Sequence, residues 1–226
     1  MTTHSLSNDP RQAGTRARFD TALSACPLIA ILRGIECGEA AAHASALYEA
    51  GFRVIEVPLN SPSPLDSIEA IRKTLPPDAI VGAGTVLTRA EVLGVSDAGG
   101  ELIVMPHSDP EVLAAAVECG LVTAPGVATP TEAFAALKSG ADALKLFPFE
   151  QLGHRVLKAW RSVMNPGIAL IPVGGVRPED VGALLKAGAR GLGLGSGLYR
   201  SGQTVDATRA TAQAYVAACE GARFTA

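Results

Sequence analysis

A lysine interrupts an otherwise apolar run at Ala143-Leu144-Lys145-Leu146-Phe147-Pro148. Burying an ammonium is costly, so desolvation lowers the pKa and favours the neutral amine. A neutral amine attacks a ketone to form a Schiff base, and the protonated imine then draws electrons out of a neighbouring C–C bond. The competing reading is a lysine facing outward between helices with its tip in water. Alternation puts Lys145 on the face of Ala143 and Phe147 but does not say which face is inside. Glu56 lies in a similar run, Val54-Ile55-Glu56-Val57-Pro58-Leu59-Asn60. A carboxylate there can relay protons, or it can form a structural ion pair, for which Lys145 itself is a candidate partner. Arg33, in Ile31-Leu32-Arg33-Gly34, can clamp a carboxylate with two hydrogen bonds or remain a solvated loop arginine. Thr85 follows Gly82-Ala83-Gly84; its hydroxyl can bond a substrate oxygen or cap a turn or helix. Gly174-Gly175 and Gly195-Ser196 let the backbone approach an anion, with ordinary tight turns as the alternative.

These residues need a frame to bring them together, and a recurring phrase supplies one. A helix-like run is followed by a small residue and Gly, then by a short apolar run. It occurs at Ala50-Gly51, Gly99-Gly100, Cys119-Gly120, Ser139-Gly140 and Ala187-Gly188. Glycine just past a helix closes its last turn in the left-handed conformation, and the chain then enters a buried strand. Helix–Gly–strand repeated is half of a βαβ unit, and successive units make a parallel sheet. Two units with less regular entries stand at Pro76-Pro77-Asp78 and Pro166-Gly167, and Leu28 to Leu32 opens the series. The expected strands lie near residues 28–32, 53–57, 79–83, 101–105, 121–124, 142–146, 168–173 and 191–194. Eight units in about 200 residues fit an α/β protein of the (β/α)8 TIM-barrel type, with a doubly wound open sheet as the runner-up. Residues Thr15 to Ala25 are expected as an extra helix under the barrel floor. Residues 1–14 are expected as a flexible tail and 15–226 as one domain. In a barrel the site lies at the C-terminal strand ends, where Arg33, Glu56, Thr85, Pro106, Lys145, Gly174-Gly175 and Gly195-Ser196 fall.

Bulk composition narrows the class. Hydrophobic residues make up 48% and aromatics 4%, so the core is built from Ala, Val, Leu and Ile. The net charge of −3 gives no attraction for nucleic acid or an anionic membrane. Met1 to Gly14 has no apolar signal core, and no apolar stretch reaches membrane-spanning length, so a cytoplasmic protein is expected. Cys26, Cys37, Cys119 and Cys219 form no C-x-x-C, and they read as reduced structural thiols. His4, His43, His107 and His154 have no metal-ligand spacing. His43 is expected on the surface of the first barrel helix and His107 in a solvated loop. No G-x-G-x-x-G opens a helix after the first strand, so a dinucleotide site is unsupported.

The strand-end phrases together resemble the 2-keto-3-deoxy-6-phosphogluconate and 2-keto-3-deoxy-6-phosphogalactonate aldolases, from about Leu28 to Ala218. Those carrying the likeness are Ile31-Leu32-Arg33-Gly34, Ile55-Glu56-Val57-Pro58-Leu59-Asn60, Gly82-Ala83-Gly84-Thr85-Val86, Leu144-Lys145-Leu146-Phe147-Pro148, Val173-Gly174-Gly175-Val176 and Gly193-Leu194-Gly195-Ser196. The resemblance implies a class I aldolase without metal or cofactor, cleaving a phosphorylated keto sugar acid to pyruvate and glyceraldehyde 3-phosphate. It implies that Lys145 is the Schiff-base residue and Glu56 the general acid/base. Arg33 and Thr85 hold the pyruvoyl end, Gly174, Gly175, Gly195 and Ser196 bind phosphate, and Pro106 and Phe147 complete the substrate-binding set. It also implies a homotrimer. Asn60 and Val173 resemble the galactonate branch; gluconate-type members carry Arg and Thr there. Met105-Pro106-His107 departs from the Thr-Pro-Asn or Ser-Pro-Gly expected of the family. The rival substrates are the gluconate epimer and 4-hydroxy-2-oxoglutarate. Outside the aldolases, the rival is a sugar-phosphate-binding barrel or an isomerase.

Overall fold

Pattern and caps set the elements, which are seen in a computed structural model that describes residues 10–224. In chain order they are α1 (Pro10–Ala25), β1 (Leu28–Ile31), α2 (Cys37–Ala50), β2 (Val54–Pro58), α3 (Pro64–Thr74), β3 (Ile80–Gly84), α4 (Arg89–Asp97), β4 (Leu102–Val104) and α5 (Pro110–Glu118). There follow β5 (Val122–Ala124), β6 (Gly126–Val127), α6 (Pro130–Lys138), β7 (Ala143–Leu146), α7 (Phe149–Arg161), β8 (Ala169–Pro172), α8 (Val181–Lys186), β9 (Leu192–Leu194) and α9 (Val205–Phe224). Each expected strand is present with its ends shifted by a residue or two. Thr88–Glu91 and Thr129–Glu132 form reciprocal capping boxes that start α4 and α6. Gly51 ends α2 at φ 120°, where a side chain would be strained.

All the paired strands are parallel. One sheet runs β5-β4-β3-β2-β1-β9 and another β6-β7-β8. The fifth expected strand is divided between them at Pro125, which has no N–H to donate to a ladder. Its carbonyl still accepts from Lys145 N at 2.9 Å. The β8 and β9 strands meet through a bridge from Val173 to Gly193 and a 3.0 Å bond from Arg190 N to Leu170 O. The result is a parallel α/β fold with helices outside curved sheets.

Period-2 alternation sorts the apolar side chains into two clusters. One, including Ile55, Val57, Val81, Leu144 and Leu170, faces the helices. The other, including Ile29, Val54, Ile80, Leu102, Val122, Ala143 and Ile171, faces the interior enclosed by the strands. Phe19, Ala22 and Leu23 of α1 belong to this inner cluster. Each buried large aliphatic contributes roughly 1.5–3 kcal/mol. Polar contacts fix α1 as well: Arg16 Nη1 donates to Asp142 Oδ1 at 2.8 Å, and Arg18 bonds Glu101 and Pro77 O. Helix α1 begins at Pro10, ahead of the Thr15 start read from sequence, while residues 1–9 of the expected tail lie outside the described residues.

One expectation is corrected. His43 is not on the surface: it is 1% exposed, with Nδ1 2.9 Å from Thr208 Oγ1 of α9 and its ring edge-on to Tyr199. Helical spacing explains this, because Ala40, His43, Ala44 and Leu47 form one buried stripe on α2. His107 is exposed, as expected of a loop residue. Among the described residues, no helix is long and apolar enough to cross a membrane.

Asp142 is buried and accepts from Arg16 Nη1, Thr123 N and Thr123 Oγ1. Removing it leaves buried donors unpaired, whereas Arg18 is 42% exposed and Glu101 keeps Arg72 as a second partner. Asp142→Ala should lower unfolding stability by about 2–4 kcal/mol and Arg18→Ala by less than about 1 kcal/mol, compared by denaturant titration.

Candidate active site

Inward alternation answers the question that sequence left open. Ala143 belongs to the inner cluster and Phe147 packs on it, so Lys145 between them also points inward. Glu56 does the same, two residues beyond the inner Val54. Lys145 is 6% exposed and Glu56 2%. The neighbouring strand makes room for them. A Cβ on Gly82 would collide with the backbone of Leu102, and one on Gly84 with the Glu56 carboxylate.

The electrostatics follow from burial. Desolvation pushes the Glu56 carboxyl up to about 7, against the opposing pull of Lys145, Arg33 and the Gly84 N–H. Desolvation likewise pushes the Lys145 amine down; Glu56 opposes this and Arg33 adds to it. Lys145 Nζ sits 4.4 Å from the centre of the Phe147 ring. Glu56 Oε2 is buried and meets no hydrogen-bond donor among the described residues. An orphaned buried acceptor is destabilising, and such atoms concentrate where a site has work to do. The pair offers an amine inclined to lose its proton and a carboxyl able to take or give one near neutrality.

Arg33, Asn60 and Thr85 come together at the ends of three adjacent strands. Arg33 Nη1 donates to Asn60 Oδ1 at 2.7 Å, and Nη2 lies 3.4 Å from Thr85 Oγ1. Thr85 is not a helix cap, since Thr88 fills that role for α4. Its φ of 57° is unusual for a side-chain-bearing residue and aims the hydroxyl at Arg33. Ser61, not singled out from sequence, ties two of these loops by accepting from Gly34 N at 2.9 Å. Pro106 is half-buried after β4, and Gly126 lets the Pro106–His107 backbone come close.

The loops after β8 and β9 stand side by side beyond the Val173–Gly193 bridge. Val173 is buried on the inner face, and a Cβ on Gly193 would lie 2.6 Å from its Cγ2. Gly174 and Gly175 take φ of 119° and 66°. Among the described residues, the N–H groups of Gly175, Ser196 and Gly197 make no hydrogen bond. Nothing lies within 4 Å of a Cβ built on Gly195. Free N–H groups around open space form a concavity suited to an anion. Glu150 on the first turn of α7 rests against Gly174 and Gly175, a contact between distant residues that sequence did not signal. A cavity of about 150 Å³ opens there, bordered by Phe149, Glu150, His154, Gly174, Gly175 and Asp180.

A parallel α/β frame with a buried amine and carboxyl at its strand ends has the groups that a Schiff-base aldolase needs. The chain belongs to the KDPG and KHG aldolase family, whose model matches residues 19–213. It is 48% identical to the 2-dehydro-3-deoxy-6-phosphogalactonate aldolase of Escherichia coli (strain K12), over 85% of this chain and 94% of that protein. It is 32% identical to the KHG/KDPG aldolase of the same strain, over 71% of this chain and 75% of that one. A solved structure described as native KDPGal superposes with a TM-score of 0.85 at 47% identity, covering 88% of this chain and 96% of the other.

Because Gly84 abuts the Glu56 carboxylate, Gly84→Ala should displace it while leaving the strand intact. The expected outcome is at least a ~10-fold fall in kcat with unchanged far-UV circular dichroism.

Proposed function

We propose that the chain cleaves 2-dehydro-3-deoxy-6-phosphogalactonate to pyruvate and D-glyceraldehyde 3-phosphate. The observation that carries this reading is the inward-facing Lys145 and Glu56, buried in one interior with their proton affinities shifted towards each other. Neutral Lys145 attacks the C2 ketone, and loss of water gives an imine. Glu56, acting through a water, takes the proton of the C4 hydroxyl. The C3–C4 bond breaks, its electrons enter the iminium, and glyceraldehyde 3-phosphate leaves. The resulting enamine is protonated at C3, and hydrolysis releases pyruvate and free Lys145.

Arg33 and Thr85 hold the pyruvoyl carboxylate in this reading, beside Pro106 and Phe147. The phosphate rests on Gly174, Gly175, Gly195 and Ser196. The substrate branch is supported by identity of 48% to the phosphogalactonate aldolase against 32% to the KHG/KDPG aldolase. It is supported also by chemistry at two positions. Asn60 offers Arg33 an acceptor, where a second arginine would repel it. Val173 presents methyl groups where a threonine would offer a hydroxyl to the C4 oxygen. The strands and helices from α1 onward are read as one (β/α)8 barrel domain with α1 as its floor. The enzyme is read as cytoplasmic and homotrimeric, with exposed Leu65, Leu87 and Leu93 as apolar surface for contact between copies.

The test is pyruvate release from the 6-phosphates of 2-keto-3-deoxygalactonate and 2-keto-3-deoxygluconate, assayed side by side. Preference for the galactonate epimer by about 10-fold or more in kcat/KM is expected. Equal rates would refute the branch while leaving an aldolase, and no pyruvate from either would refute the activity.

A further inference from the structure

Past the bridge from Val173 to Gly193, no backbone hydrogen bond joins the loop after β8 to the loop after β9 among the described residues. Yet one anion can use the N–H groups of both loops only if the loops keep a fixed spacing. A side chain outside the site makes the connection. Tyr215 of α9 is 1% exposed, and its hydroxyl donates to Val176 O at 2.8 Å. Val176 directly follows Gly174-Gly175. The same oxygen touches the second loop at Gly197, directly after Gly195-Ser196: a Cβ built there would lie 2.7 Å from Tyr215 Oη. The backbone of Gly197 is not left-handed, so the hydroxyl, not the φ angle, is what excludes a side chain. Gln203 also braces the second loop, donating to Leu198 O at 3.1 Å and to Thr208 Oγ1 of α9 at 3.0 Å.

We infer that Tyr215 is a positioning residue for phosphate recognition, its hydroxyl pinning the two glycine loops at the spacing one phosphate needs. The inference rests on the reading of these loops as the phosphate site. Tyr215 itself touches no substrate. Burial, with Glu179 and Asp180 adding to it, raises the phenol's pKa and keeps it a proton donor.

The pin makes a prediction that a purely structural tyrosine does not. Tyr215→Phe keeps the ring in its core position and removes only the hydroxyl. It should raise KM for the phosphorylated keto acid, and the inhibition constant of inorganic phosphate, by about three- to tenfold. kcat, and kcat/KM for the unphosphorylated 4-hydroxy-2-oxo acid, should not change. Gly197→Ala should weaken phosphate inhibition in the parent and weaken it less in the Tyr215→Phe background, because the colliding oxygen is gone. Unchanged phosphate inhibition in Tyr215→Phe overturns the inference, as does equal loss towards both substrates or simple additivity of the two substitutions. A parent protein indifferent to phosphate, in both inhibition and substrate preference, overturns the phosphate reading and the pin with it.

Discussion

Two ionisable side chains held out of water govern this structure. Lys145 and Glu56 would each be fully charged in solvent, and the aliphatic lining of the strands opposes that in both. Their attraction offsets part of the desolvation, which is why each appears among the influences on the other. Among the described residues, neither has a close ion pair of the kind that holds Arg16 to Asp142. The amine and carboxyl therefore stay free to exchange protons with something between them. A frame of Ile, Val, Leu and Ala with few aromatics supplies the low dielectric.

Glycine placement turns that frame into a site. On β3, Gly84 empties the space beside Glu56 and Gly82 lets the backbone of Leu102 come close; on β9, Gly193 empties the space beside Val173. At the loop ends, glycines leave backbone N–H groups free instead of covering them. The polar residues at the strand ends then divide the opening. Arg33, Asn60 and Thr85 form a hydrogen-bonded cluster at the ends of β1, β2 and β3, and the loops after β8 and β9 follow on round from β1 through its pairing with β9. In the proposed function the substrate's carboxylate meets Arg33, and its phosphate meets the free N–H groups of the loops after β8 and β9.

Much of this was legible in the sequence because it depends on local pattern. The helix–Gly–strand phrase placed the strands, since glycine at a helix end and a short apolar run each have a local cause. The strand-end residues followed from the rule that sites gather there. What stayed hidden was contact between distant parts of the chain. His43 looked like a surface histidine until α9 was seen to cover it, with Thr208 as its partner 165 residues away. Glu150 against Gly174 and Tyr215 against Gly197 are likewise pairings of separate elements. Alternation could not tell which face of β7 was inside, because Ala143 and Phe147 suit either side. The break at Pro125 was visible as a proline, but its effect depends on which neighbours each half of the strand must reach.

The central claim is that Lys145 forms the covalent bond to substrate. The most direct measurement is to reduce the protein with borohydride in the presence of pyruvate and map the modified peptide by mass spectrometry. The account predicts one adduct per chain, on Lys145, and none in Lys145→Ala. A folded protein that gains no adduct, or gains it on another lysine such as Lys138, would contradict it.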